Sequence, residues 1–87
     1  GGGGVTQRVE LYVQPGCPDC RQAEAFLRQS GVPFEKYDVT RDGAAYQRLV
    51  QQYDSRVTAT VVIDGQVFRG FARHRQDIAR ALHRDQP

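Results

Sequence analysis

Cys17 and Cys20 are the only cysteines of this 87-residue chain, and they lie where a strand pattern changes into a helical one. Val9, Leu11 and Val13 recur at every second position, which predicts a strand that ends at a Pro-Gly turn. The helical spacing begins at a proline, which suits a first helical turn because that turn leaves its N–H groups unpaired. A strand that leads directly into a helix carrying both sulfurs predicts an α/β fold with its reactive groups at one edge of a sheet.

The rest of the chain continues this alternation of strands and helices. Asp42 is the predicted N-cap of the second helix, and Asp64-Gly65 predicts a two-residue hairpin turn. The predicted elements are a strand at 9–13, a helix at 18–29, a strand at 34–39, a helix at 43–54, strands at 58–63 and 66–69, and a helix at 75–84. The order β-α-β-α-β-β-α predicts a four-stranded mixed sheet flanked by three helices, with a right-handed parallel β-α-β unit and a final antiparallel hairpin.

The position of the two cysteines favours thiol redox chemistry. A thiolate at a helix N-terminus is stabilised by free N–H groups and by the helix dipole, so Cys17 is the predicted nucleophile. Cys20, one turn further along the same side, can attack a mixed disulfide at Cys17 and release the reduced substrate. Asp19 is expected to raise the pKa of Cys17, whereas Arg21 and the helix dipole are expected to lower it, and the sequence leaves open which effect dominates.

A C-x-x-C pair is also compatible with half of a zinc site or with a structural disulfide. Zinc needs two further ligands, and His74 and His83 do not have the short spacing of a zinc finger. We interpret both histidines as solvated residues of the last helix. A disulfide that closes so short a loop constrains the unfolded chain little, so a purely structural role is also disfavoured.

Composition limits the classes of function. We interpret Gly1–Gly4 as the remnant of a tag or linker and residues 5–87 as a single domain. A formal charge of +2 is too small to indicate nucleic-acid binding, and no apolar run approaches the roughly 18 residues of a membrane span. A reactive C-x-x-C beside a β-α-β pattern favours a cytoplasmic protein. The arginine-rich C-terminal part is predicted to be a solvated surface, with docking of an acidic partner as the alternative; its members are Arg69, Arg73, Arg75, Arg80 and Arg84.

Three segments resemble the glutaredoxin branch of the thioredoxin superfamily, and the resemblance extends over residues 8–84. The segments are Leu11–Cys20, Phe34–Val39 and Val61–Gly65. The resemblance implies a thioredoxin fold and a thiol-disulfide oxidoreductase that reduces protein or mixed disulfides and requires no bound cofactor. We expect a monomer with a substrate-binding surface composed of Pro18, Arg56, Thr58, Ala59, Thr60, Gly70 and Phe71.

The chain departs from this family where glutathione would bind. Gln14 stands where members usually carry a lysine, and Arg69–Arg73 stands where they carry Gly-Gly followed by acidic residues. The pair Gly70-Phe71 is similar to the redoxins that reduce ribonucleotide reductase and are recharged by thioredoxin reductase. Glutathione and thioredoxin reductase therefore both remain candidate electron sources.

A second departure concerns the cis-proline that the family places before its third strand. Ala59 stands at this position, so the Thr58–Ala59 bond is expected to be either trans or a cis bond held by the sheet. In this superfamily the proline also shields the thiolates from metal. Its loss makes an iron-sulfur or other metal-binding redoxin with little reductase activity the alternative function.

Overall fold

The computed structural model describes residues 7–83, and its elements follow the predicted order. The strands are β1 (Val9–Val13), β2 (Glu35–Asp38), β3 (Thr60–Ile63) and β4 (Gln66–Arg69). The helices are α1 (Pro18–Ser30), α2 (Gly43–Gln47) and α3 (Arg75–His83). A π-helical turn, Arg48–Gln52, extends α2, and a 3-10 turn, Ala72–His74, leads into α3. No helix in this described part of the chain is long and apolar enough to cross a membrane.

The four strands form one mixed sheet in the order β2-β1-β3-β4. β1 pairs parallel with β2 and antiparallel with β3, and β3 pairs antiparallel with β4. The β3–β4 connection is the hairpin predicted from Asp64-Gly65, whose φ values of 50° and 85° are both positive. The parallel β1-α1-β2 unit places the start of α1 at the C-terminal end of β1, where the sequence predicted the reactive edge.

Both faces of the sheet are covered by helices. Alternate residues of β1, such as Leu11, pack with Leu27 of α1 and Ile78 of α3. The opposite residues, such as Tyr12, pack with Leu49 in the extension of α2. Because both faces are covered, β1 is buried along nearly its whole length. Because one face of α1 packs in this core, the position of its N-terminus relative to the sheet is fixed.

Three predicted elements, those at 34–39, 43–54 and 58–63, are longer than the observed ones. β2 and β3 are limited by the register of β1, since Glu10–Val13 pair with Glu35–Asp38 and the last residue of β1 that faces β3 is Tyr12, opposite Thr60. Thr58 and Ala59 therefore precede β3. The predicted helix 43–54 ends with its π-helical turn at Gln52, although its N-cap, an Asp42 carboxylate that accepts the N–H of Ala45, is confirmed.

Other sequence predictions fall outside the residues that the structure describes. These are the interpretation of residues 1–4 as a tag remnant, the end of the last helix at residue 84 and the surface role of Arg84. The helix predicted at 75–84 does begin at Arg75. His74 lies before it, partly buried in the 3-10 turn, with its ring centroid 6.0 Å from that of Phe68.

Candidate redox site

Cys17 is the N-cap of α1, and the helix presents both sulfurs on its first turn. Cys17 has extended backbone angles, Pro18 follows in the first turn, and a disulfide joins Cys17 to Cys20 with their Cα atoms 5.2 Å apart. The sulfur of Cys17 also accepts the backbone N–H of Cys20 at 3.1 Å. The unpaired N–H groups of the first turn can therefore stabilise negative charge on Cys17 once the disulfide is reduced.

The two sulfurs differ in exposure. Cys20 is 4% exposed and belongs to the main core cluster, whereas Cys17 is partly exposed. A cavity of about 230 Å³ opens beside Cys17 and is also lined by Arg21, Glu24 and Lys36. This asymmetry makes Cys17 the sulfur that a partner can reach and Cys20 the sulfur that can act only from inside the protein.

Glu24 and Lys36, two of the charged residues that line that cavity, are paired with each other. Glu24 accepts hydrogen bonds from Arg28 at 2.5 Å and from Lys36 at 3.1 Å. The hydrogen bond from Arg28, followed by that from Lys36, holds the pKa of Glu24 below its ordinary value despite partial burial. Glu24 therefore stays ionised and neutralises part of the positive charge beside Cys17.

The segment that precedes β3 lies against Cys17. The Thr58–Ala59 peptide bond is cis, which is one of the two conformations expected when alanine stands at the proline position. The Thr58 hydroxyl donates to the sulfur of Cys17 at 3.8 Å. Ala59 is fully buried, and its carbonyl accepts the N–H of Gly70 at 2.8 Å. Thr58 is thus the member of this segment that touches the reactive sulfur.

Asp19 makes contacts that the sequence did not predict. Its two carboxylate oxygens accept the backbone N–H groups of Phe71, at 2.7 Å, and Ala72, at 3.0 Å. The carboxylate therefore joins the first turn of α1 to the segment after β4, which is 52 residues further along the chain. The sequence carries only a weak signal for this contact, namely an acidic residue in a first helical turn.

The structure gathers most, but not all, of the predicted substrate-binding residues at one edge. Gly70 has a φ of 106°, and Arg73 lies so close that a Cβ on residue 70 would be 2.8 Å from its Cδ. Phe71 is 1% exposed and packs against Phe26, with ring centroids 5.3 Å apart, so only its backbone is available at the edge. Thr60 is fully buried in the sheet.

Pro18 and Arg56 are the remaining predicted substrate-binding residues. Both are exposed. Pro18 adjoins Cys17 in the chain, whereas Arg56 lies in the loop before Thr58, next to Val57, an apolar side chain that is 48% exposed. The hydrogen bonds to the Cys17 sulfur between described residues come from Cys20 and Thr58, and none comes from Arg56. Pro18 and the half-buried Thr58 therefore adjoin the disulfide, and the exposed Val57 precedes Thr58 in the chain.

Known proteins are similar to this chain over the region that contains the disulfide. The glutaredoxin family model matches residues 9–68, which includes the disulfide, the segment before β3 and most of β4. The chain belongs to the glutaredoxin family. A probable glutaredoxin of Synechocystis is 30% identical over 67 residues, or 76% of each chain. The gene 56 protein of Mycobacterium phage L5 is 30% identical over 56 residues, which span 54% of the phage protein.

Solved structures give the same fold for this glutaredoxin. The thioredoxin-like protein BC3987 is 44% identical, with a TM-score of 0.74 over 80% of this chain and 96% of that one. Buckwheat glutaredoxin, solved as a complex with glutathione, has a TM-score of 0.69 over 90% of this chain and 78% of that one at 19% identity, which supports the fold alone. The thioredoxin fold is therefore confirmed.

The described residues of this glutaredoxin contain no group of side chains placed to form a metal site. Between residues 7 and 83, no group of three or more histidine, cysteine, aspartate or glutamate side chains is placed to hold a metal ion. Iron-sulfur clusters are commonly held by four cysteine thiolates, and this chain has two cysteines, joined in a disulfide. The family and the disulfide together support a thiol redox function.

Proposed function

We propose that this glutaredoxin reduces protein disulfides through Cys17 and Cys20. The observation that carries the proposal is the asymmetric disulfide at the N-terminus of α1, with one sulfur accessible and the other buried. A purely structural disulfide has no need of an exposed sulfur beside free helical N–H groups. A redox pair does need it, because Cys17 must reach the substrate and Cys20 must then attack Cys17 from inside the protein.

The chemistry follows from the two positions. In the reduced protein, the Cys17 thiolate attacks one sulfur of a substrate disulfide, forms a mixed disulfide and displaces the other substrate sulfur as a thiolate. The Cys20 thiol then loses its proton and attacks Cys17, which restores the Cys17–Cys20 bond and releases the second substrate thiolate. Two electrons pass from the protein to the substrate.

The substrate chain would dock beside Thr58. Thr60 is already paired with Tyr12 and Arg69 in the sheet, and the Ala59 carbonyl already accepts a hydrogen bond from Gly70. An extended substrate segment can therefore add to this edge at Thr58, where it would place its own sulfur next to Cys17. Pro18, Arg56 and the backbone at Gly70 and Phe71 would border that segment.

The electron source is the finer part of the proposal. Gln14 is an exposed, uncharged residue, and the N–H groups of Phe71 and Ala72 already bind Asp19. These two positions therefore offer neither a lysine nor free N–H groups to the carboxylates of glutathione. This favours a reductant that docks as a protein, such as thioredoxin reductase.

Single cysteine variants test the roles of the two sulfurs. Cys17→Ser is expected to abolish reduction of insulin, because it removes the attacking thiolate. Cys20→Ser is expected to form a mixed disulfide with the substrate that persists, which non-reducing mass spectrometry would detect. Full insulin reduction by Cys17→Ser, or trapping by Cys17→Ser instead of Cys20→Ser, would contradict the assignment.

The reductant is tested by coupling the same assay either to thioredoxin reductase or to glutathione with glutathione reductase, while following NADPH consumption. We expect turnover mainly with thioredoxin reductase.

Anaerobic purification with an absorbance spectrum and iron analysis tests the metal-binding alternative. A brown, iron-containing protein without turnover under either reductant would replace disulfide reduction with cluster binding as its function.

A further inference from the structure

Four contacts link Cys17 through two other segments back to its own helix. Thr58 donates its hydroxyl to the sulfur of Cys17 at 3.8 Å. The neighbouring Ala59 carbonyl accepts the N–H of Gly70 at 2.8 Å. The next two N–H groups, those of Phe71 and Ala72, donate to the carboxylate of Asp19 at 2.7 and 3.0 Å. Asp19 lies two residues after Cys17, so these contacts form a closed ring.

We propose that Asp19 is a positioning residue that acts on Cys17 through this ring, by holding the Thr58 hydroxyl against the sulfur. The proposal deepens, and rests on, the assignment of Cys17 as the nucleophile. Asp19 has no hydrogen bond to Thr58 among the described residues, and the hydrogen bonds from its carboxylate lead to the segment after β4.

The geometry explains why a carboxylate suits this position. Two adjacent backbone N–H groups need two acceptor oxygens, and a carboxylate supplies both, with hydrogen bonds strengthened by its charge. The clamped segment is also held from the other side, where the ring of Phe71 packs against Phe26. Asp19 therefore fixes Gly70, and Gly70 fixes the Ala59 carbonyl beside Thr58.

The ring makes a prediction opposite to that of charge alone. A negative charge beside Cys17 disfavours the thiolate, so neutralising Asp19 should make the thiol more acidic if charge is all that matters. If Asp19 acts through Thr58, neutralising it loosens the hydroxyl from the sulfur and makes the thiol less acidic. The other charged groups beside Cys17 stay unchanged in this comparison; they are Arg21 and Glu24 on α1 and Lys36 and Asp38 on β2, which line the cavity next to it. Arg56, two residues before Thr58 in the chain, is also unchanged.

The test measures how fast iodoacetamide alkylates Cys17 as a function of pH. A Cys20→Ser background leaves Cys17 as the only thiol, so no substrate turnover is required and the result does not depend on the proposed activity. Asp19→Asn keeps the shape but turns one acceptor oxygen into a donor. We expect the midpoint of the pH profile to rise and alkylation below that midpoint to slow by about three- to tenfold.

A second variant separates position from charge. Asp19→Glu keeps the negative charge but moves the carboxylate by one CH₂ group, so it cannot meet both N–H groups as Asp19 does. It is expected to slow alkylation in the same direction, whereas an effect of charge alone predicts no change. This variant also decides the question if Asp19→Asn does not fold.

Coupling to Thr58 is the decisive measurement. In a Thr58→Val background, which lacks the hydroxyl, Asp19→Asn and Asp19→Glu are expected to slow alkylation little. Asp77→Asn is the matched control, since Asp77 is an acid in the first turn of α3 that pairs with Arg80 at its surface. Faster or unchanged alkylation in both Asp19 variants, or equal slowing with and without the Thr58 hydroxyl, would overturn the proposal.

Discussion

Glu10 is a buried carboxylate in β1, the strand that leads to Cys17, and its removal should destabilise the protein strongly. It is the second residue of β1, is 2% exposed, and accepts hydrogen bonds from Tyr12 at 2.5 Å and Tyr53 at 2.8 Å. Arg8 and Arg48 lie 3.4 and 3.7 Å from its carboxylate. α2 and its π-helical turn cover the face of β1 that carries Glu10 and Tyr12.

The expected magnitude follows from these contacts. A hydrogen bond to a charged group contributes about 1.5–3 kcal/mol, and removing one member of a buried charged cluster costs about 3–5 kcal/mol. Glu10→Ala leaves the buried Tyr12 hydroxyl and the partly buried Tyr53 hydroxyl short of a partner, and it leaves Arg48 without its carboxylate. We therefore expect a loss of about 3–5 kcal/mol from a total free energy of unfolding of about 5–15 kcal/mol.

Urea unfolding followed by far-ultraviolet circular dichroism measures this loss, and the chain has no tryptophan for fluorescence. Glu35→Ala is the matched control, because Glu35 lies on the adjacent strand and reaches the same Arg8 at 3.8 Å but is 59% exposed. A surface pair of this kind is expected to contribute less than about 1 kcal/mol. A loss below about 1 kcal/mol for Glu10→Ala, or equal losses for both variants, would refute the reasoning.

Two further predictions concern Gly70 and Tyr12. Gly70→Ala places a side chain at a φ of 106° and 2.8 Å from the Cδ of Arg73, so we expect a loss of about 1–3 kcal/mol in urea unfolding, little of it recovered by adding Arg73→Ala; full recovery would show that the clash rather than the backbone angle dominates. Burial, more than its hydrogen bond to Glu10, raises the pKa of Tyr12 above its ordinary value of 10.0, while the hydrogen bond from Arg48 opposes the rise. Above pH 10.0 the unfolded chain therefore loses this proton while the folded protein keeps it, so the free energy of unfolding should fall as the pH rises. Tyr12→Phe should make that fall less steep in urea unfolding at several pH values, and equal slopes for the two proteins would contradict the assignment.

Local sequence patterns are sufficient to predict the order of the elements and the place of the two cysteines. Alternation in β1, the proline after Cys17 and the Asp64-Gly65 turn depend on a few neighbouring residues, and such local preferences act in the same way in any fold that accommodates them. The family resemblance and the confirmed hairpin rest on the same short segments.

Contacts between groups that are far apart in the chain depend instead on tertiary packing. The Asp19 carboxylate finds its N–H partners 52 and 53 residues away, and Glu10 is buried because a helix from another part of the chain covers its face. The sequence predicted a role for Asp19 only through its charge beside Cys17. Its actual contacts depend on how α1, the segment before β3 and the segment after β4 converge at one edge of the sheet, and that convergence is a property of the packed core rather than of any local pattern.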